Sequence, residues 1–250
     1  NTLVAISLAL GTPFFVLFGW LSDKVGRKPV ILVGCVLAAL TYFPIFKALT
    51  AAANPQLAQA TASAPVLVIA DPSTCALQFD PVGKTAFTSA CDVAKSALAG
   101  AGVSYENRAA PAGTVAVVQV GTAQLASFEG TGLPKAEFDA RKAAWTKELG
   151  ALLTNAGYPP KADAALVNKP MVVFLLWLLV IYVTMVYGPI AAALVEMFPA
   201  RIRYTSMSLP YHLGNGWLGG FLPTTAFAMV AATGNIYYGL WYPIAVAAFT

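Results

Sequence analysis

Asp23, Lys24, Arg27 and Lys28 place four charges within six residues, in a stretch from Gly19 to Pro29 that reads GWLSDKVGRKP. A carboxylate and a guanidinium at this spacing can pair and unpair, which is reversible electrostatics rather than bond-making chemistry. Two further charges, Glu196 and Arg203, bracket Pro199 in an E-x-x-P-x-x-x-R arrangement. Histidine as a residue type suits proton transfer at physiological pH, which makes the single one, His212, a candidate proton carrier. A neutral imidazole bonded to a neighbouring helix accounts for it equally well. Tyr182 and Tyr187 can donate hydrogen bonds to a carboxylate or stack on a cation, or they can simply pack. Asn215 and Trp217 lie in the run GNGWLGG, whose small residues suit a close helix contact, with Asn215 free to face a cavity. None of these sets is a catalytic constellation. The chain has no G-x-S-x-G run and no Cys/His metal spacing, and residues 54–169 contain no histidine. No enzyme activity, cofactor, metal or nucleic-acid partner is expected.

The elements that must position these residues belong to a very apolar chain. Hydrophobic residues make up 58% and charged residues only 10%, against about 25% charged in soluble domains. Residues 54–169 hold nine basic and nine acidic side chains, leaving six basic and two acidic for all the rest. The net charge of +4 therefore lies in the apolar portion. A membrane-spanning helix needs about 20 apolar residues, and the runs Thr2–Trp20, Val30–Ala53, Met171–Met197 and Ser206–Thr233 supply that length. Tyr237–Thr250 reads as the start of a fifth. Pro13, Pro44, Pro189 and Pro223 fall inside these runs, where each would cost about 3 kcal/mol in a soluble helix interior but is tolerated in a membrane helix. The sequence opens without Met inside one run and stops inside another, so the expectation is a fragment whose partner is its own missing amino-terminal half.

Lys24, Arg27 and Lys28 in the first link, with Arg201 and Arg203 in the third, mark those links as cytoplasmic by the positive-inside rule. Helix alternation then puts 54–169 outside. Three regions result: membrane helices with the charged loop in 1–53, an extracytoplasmic inserted domain in 54–169, and further membrane helices in 170–250. The insertion has soluble composition and suits a small α+β domain, with an apolar run at Val66–Ala70, a helical stretch near Val93–Ala99, a strand-like Thr114–Val120 and a charged helix near Lys135–Leu153. Cys75 and Cys91 fall inside it and are either free thiols or a disulfide, which would close a loop at about 3 kcal/mol. Gly83-Lys84-Thr85 is only a faint echo of a phosphate loop, because Gln78 stands where that motif needs its first glycine.

The stretch from Gly19 to Lys28 resembles the loop signature of the major facilitator superfamily at Gly19, Asp23, Gly26, Arg27 and Lys28. Glu196, Pro199 and Arg203 resemble the motif that closes the tenth helix in that superfamily, and Phe198–Phe227 is similar to its metabolite:proton symporters. The resemblance implies an all-α polytopic membrane protein, a partial carboxyl-terminal bundle of helices eight to a truncated twelve, interrupted by the α+β insertion. It further implies alternating access across a bacterial-type inner membrane, with protons and a small polar metabolite (an organic acid, a betaine or an amino acid) as partners beside the lipid bilayer. Asp23, Arg27, Glu196 and Arg203 would form a cytoplasmic gate network, His212 would be the proton-coupling candidate, and Tyr182, Tyr187, Asn215 and Trp217 the cavity candidates. A membrane receptor that binds ligand through the outer domain is the alternative.

Overall fold

The computed structural model describes residues 2–82 and 84–250, so Gly83 of the Gly83-Lys84-Thr85 run lies outside the described residues. The chain divides into two units. The first comprises the residues up to Ala53, Val167–Leu222 and Leu240–Thr250; the second comprises Asn54–Leu166 and Pro223–Gly239.

In the first unit, α1 (Thr2–Val25), α2 (Arg27–Ala53) and α6 (Lys169–Glu196) are each long and apolar enough to cross a membrane. Pro13, Pro44 and Pro189 sit inside them, as the membrane reading anticipates. Val30, Ala38 and Ile45 of α2 pack with Leu175, Tyr182 and Met185 of α6. α6 approaches α1 closely at Gly188, where an added Cβ would stand 3.2 Å from the Phe15 carbonyl oxygen and 3.3 Å from the Gly19 nitrogen. Small residues at such crossings let backbones meet. Val16 and Leu40 point outward, 77% and 72% exposed, which suits a lipid-facing surface.

The expected single run from Ser206 to Thr233 is instead broken. It consists of α7 (Arg203–His212), a π-helical segment over Leu213–Gly219, and α8 (Leu222–Thr233). Four glycines within Gly214–Gly220 withdraw the side-chain packing that holds a helix to one pitch. Pro223 is in the first turn of α8 rather than a helix interior, a position where proline leaves no bond unmade. A short α9 (Trp241–Ala248) follows, with Trp241 packed edge-on against Phe43 of α2.

The second unit is built on a four-stranded sheet of order β2-β1-β3-β4, from β1 (Val66–Ala70), β2 (Tyr105–Ala109), β3 (Val117–Val120) and β4 (Ala123–Ala126). β1 pairs parallel with β2 and antiparallel with β3, with Val66 opposite Tyr105 and Val120. Parallel pairing needs a crossover, supplied by α4 (Ala90–Gly100). Alternating Val66, Val68 and Val118 meet Val93 and Leu98 of α4 and Trp145, Leu149 and Leu153 of α5 (Lys135–Asn155) in one core. A short α3 (Pro55–Ser63) leads in, its first turn capped by Asn54 Oδ1 accepting from Leu57 N at 3.1 Å.

β2 reads YENRA, and its free edge is covered by the end of α8. Tyr105 N donates to Gly234 O at 2.8 Å, the Tyr105 hydroxyl donates to Ala231 O, and Asn107 Nδ2 donates to Ala232 O and Thr233 O, both at 3.1 Å. The last carbonyls of α8 thus find partners, and an edge strand loses its exposed ladder. Burial pushes the Tyr105 phenol well above its ordinary value, so it remains a donor at any physiological pH.

Two carboxylates pin the loops of this unit. Asp71 accepts from Gly113 N at 2.9 Å and from Ser73 N and Oγ at 2.9 and 2.7 Å, and these bonds hold its carboxyl below the ordinary 3.8. Burial works to raise the Glu129 carboxyl, but hydrogen bonds from Thr131, Ala90 and Gly130 outweigh it and leave it below the ordinary 4.5. A depressed folded-state value means stability that is present above the ordinary range and is lost as pH falls through and below it. The thermal midpoint of this unit, followed by near-ultraviolet circular dichroism, should hold steady from pH 7 to 5 and drop below about pH 4. Asp71→Asn should flatten that drop; an unaltered acid limb would remove Asp71 from the account.

Candidate functional site

α1 ends and α2 begins at Gly26, whose φ of +97° closes the turn in a conformation that glycine alone takes without strain. That turn sets Arg27 at the first position of α2, beside Asp23 and Ser22 of α1. The guanidinium makes three sets of contacts. Nη1 pairs with Asp23 Oδ1 and donates to Ser22 Oγ at 2.7 Å, while Nε and Nη2 both reach Glu196 Oε1, at 3.3 and 3.1 Å. Arg27 therefore joins the end of α1, the start of α2 and the end of α6 through one planar group. Ser22, whose hydroxyl donates to Gly19 O at 2.7 Å, is a member of this network that its charge pattern did not reveal. Its only signal was its place beside Asp23.

Arg203 was expected in the network and is not there. Its Nε donates to Phe198 O at 3.1 Å, closing the turn at Pro199, where Ile202 N also donates to Pro199 O at 3.1 Å. Lys28 is exposed and lines, with Arg27 and Glu196, a cavity of about 580 Å³. Side-chain exposure decides the energetics. Arg27 is 22% exposed, but Asp23 and Glu196 are 57% and 58% exposed. Such pairs contribute about 0–1 kcal/mol each, enough to bias two arrangements and too little to lock one.

The other candidates divide. Tyr182 is buried between α2 and α6, where its hydroxyl accepts from Thr41 Oγ1 at 3.2 Å. Tyr187 donates to Asn215 Oδ1 at 3.2 Å and shares with Tyr182 a small cavity of about 180 Å³. These two residues were expected independently, and the structure brings them together. Trp217 stacks edge-on with Phe221 and is 67% exposed. His212 Nδ1 lies 2.7 Å from the Ser208 carbonyl oxygen and 3.2 Å from Ser208 Oγ, so the ring is tied back to its own helix one turn earlier. Among the described residues, nothing lies within 4 Å of a Cβ added at Gly214 or Gly216, so the expected close helix contact at GNGWLGG is not made at those two positions. Cys75 and Cys91 form a disulfide with Cα atoms 5.2 Å apart, Cys91 fully buried at the start of α4 and Cys75 partly exposed.

Among curated proteins, the citrate-proton symporter of Klebsiella pneumoniae is 39% identical over 74 residues, covering 28% of this chain. The chain spans 16% of that relative's length. No family model matches the chain, and no solved structure gives a significant match. With three helices long and apolar enough to span a bilayer, the chain is that of a membrane protein, similar over part of its length to a symporter.

Proposed function

We propose that the chain is most of the carboxyl-terminal half of a major facilitator superfamily transporter of the metabolite:proton symporter family. It carries a small polar metabolite, an organic acid, betaine or amino acid, together with protons across a bacterial-type inner membrane by alternating access. The observation that carries this reading is the Arg27 guanidinium bridging Asp23 and Glu196, which lie 173 residues apart in the chain but share one contact. On this reading α1, α2 and α6 are the eighth, ninth and tenth membrane helices, α7 to α8 is the eleventh, and α9 opens the twelfth. The Arg27 end is cytoplasmic, and residues 54–169 are extracytoplasmic. The Cys75–Cys91 disulfide supports that side, because such bonds persist in oxidising compartments.

The network then acts as a two-state element, made when the cytoplasmic side is shut and broken when it opens. On this reading His212 carries the coupled proton, and the Tyr187–Asn215 hydrogen bond opens to admit a carboxylate of the solute. In the full-length parent, Asp23→Asn and Glu196→Gln should each lower uptake by up to about fivefold, since each pair contributes about 0–1 kcal/mol and about 1.4 kcal/mol corresponds to tenfold. Expression should be unchanged. Uptake at the parental rate in both variants would leave the loop a topology signal and nothing more.

The transporter reading itself is tested in proteoliposomes holding a pH dye, under an inward proton gradient, by scanning organic acids, betaines and amino acids. Proton entry dependent on one class of solute establishes symport and names the class. Silence from folded, correctly oriented protein overturns proton symport and favours a receptor acting through the outer unit.

A further inference from the structure

The second unit contains a crevice unrelated to the Arg27 network. It has a volume of about 310 Å³ and opens beside Ala70 and Ala109, the last residues of the parallel strands β1 and β2. In α/β sheets, ligands bind outside the carboxyl ends of parallel strands, and this volume falls at the lower end of the range for small-molecule sites. Its wall is chemically one-sided. Lys95 and Arg108 line it, and among the described residues no acidic one does. Its floor is apolar, with Val68 and Ala70 from β1 and Ala232 from the end of α8.

Lys95 is the decisive residue. It is only 9% exposed, and among the described residues it forms no hydrogen bond and no ion pair. An ammonium that is buried and unpaired is costly. Burial lowers its pKa, and the charge of Asp92 one turn back in α4 only partly restores it. The Asp92 carboxylate is engaged elsewhere, accepting from Ala76 N at 2.9 Å. Asn107 also faces the crevice, but both of its amide hydrogens are directed to Ala232 and Thr233 carbonyls, so its side-chain oxygen is the group left for a ligand hydroxyl.

We propose that this crevice binds a small organic anion bearing two or more carboxylates, held by Lys95 and Arg108 with its carbon skeleton against the apolar floor. Inorganic phosphate would satisfy the cations but leave the floor uncovered. The site deepens the transporter reading by naming the solute class, and its role as a capture site for the transported solute rests on that reading. The binding itself does not.

The test is equilibrium dialysis of the full-length parent in nanodiscs with radiolabelled citrate, succinate, phosphate and glycine betaine. Saturable binding of citrate or succinate is expected, with phosphate and betaine competing poorly. Lys95→Met, which removes the charge and keeps the apolar stem, should weaken one saturable site by at least tenfold. Arg108→Gln, at an exposed position, should do the same and keeps the test open if the buried variant fails to fold. Lys135→Gln should change nothing. Phosphate competing as well as citrate would overturn the carboxylate assignment, and binding indifferent to both variants would overturn the site. Binding that depends on Lys95 in a protein that moves no solute would support the site while sinking the transporter reading.

Discussion

Replacing Gly234 by valine should release the end of α8 from the edge of β2. Gly234 follows the last residue of α8 with φ +83°, in the left-handed region where a non-glycine residue costs about 1–2 kcal/mol. A Cβ there would also stand 2.0 Å from the Tyr105 carbonyl oxygen and 2.9 Å from its carbonyl carbon. Those are backbone atoms of a strand paired on its other side to β1, so no rotamer change relieves the clash. Two penalties thus act at one position, and the junction has no alternative geometry that keeps the Tyr105 N to Gly234 O bond of 2.8 Å. Hydrogen–deuterium exchange of the full chain should show protection of residues 105–109 falling by at least tenfold, the equivalent of about 1.4 kcal/mol. Gly234→Ala carries the same Cβ at the same φ and should show a fall of similar size in the same peptides. Protection at the parental level in the valine variant would mean that α8 is held by its side chains and not by this backbone contact.

The same junction gives the inserted unit a mechanical role under the proposed function. Ala231, Ala232 and Thr233 at the end of α8 are held by Tyr105 and Asn107 of β2, and Ala232 also lines the cationic crevice. A ligand in that crevice therefore touches both the sheet and the helix end. If α8 completes the eleventh membrane helix, occupancy of the crevice biases how that end is held, a coupling that requires differential contact in two states.

How far the sequence carried depends on what each feature rests on. Composition and run length found α1, α2 and α6 because lipid solvation is a property of single segments. The apolar run Val66–Ala70 became β1, and the charged periodic stretch from Lys135 became α5. β2 gave no signal, since YENRA is polar and has a single buried residue, Tyr105. Its strand state comes from pairing with β1 and from carbonyls of α8, groups that every sequence carries. The division of Ser206–Thr233 was hidden for a related reason, because an apolar count does not register that glycines let the helix pitch change. In the charged network, pairing of Arg27 with Asp23 followed from spacing, whereas the exclusion of Arg203 depends on the turn at Pro199 aiming it at Phe198 O. Lys95 was one of nine basic residues in 54–169 with nothing to single it out, since burial is a property of the assembled fold.

Removing the Cys75–Cys91 disulfide should destabilise the second unit by about 2–3 kcal/mol, as a bond closing a loop of some 15 residues does in the chain-entropy model. The lower end of that range applies if the loop keeps its own ties when the bond is gone. It has several: Ser89 Oγ donates to Thr74 O at 2.7 Å, Ala76 N to Asp92 Oδ1 at 2.9 Å, and Gln78 Nε2 to Asp92 O at 2.9 Å. All of them converge on the first turn of α4, so they hold the same two segments that the disulfide joins. Cys75→Ser with Cys91→Ala should therefore give a folded unit with a lowered denaturation midpoint, rather than an unfolded one. Cys91 must become a small apolar residue because it is fully buried. The crevice should loosen as well, because Cys75, Ala76 and Leu77 form one wall of it. Citrate binding should fall severalfold in the double variant while the sheet retains its exchange protection. A double variant with parental stability and parental binding would show that the hydrogen bonds alone fix that wall, and that the disulfide adds nothing measurable to the unit.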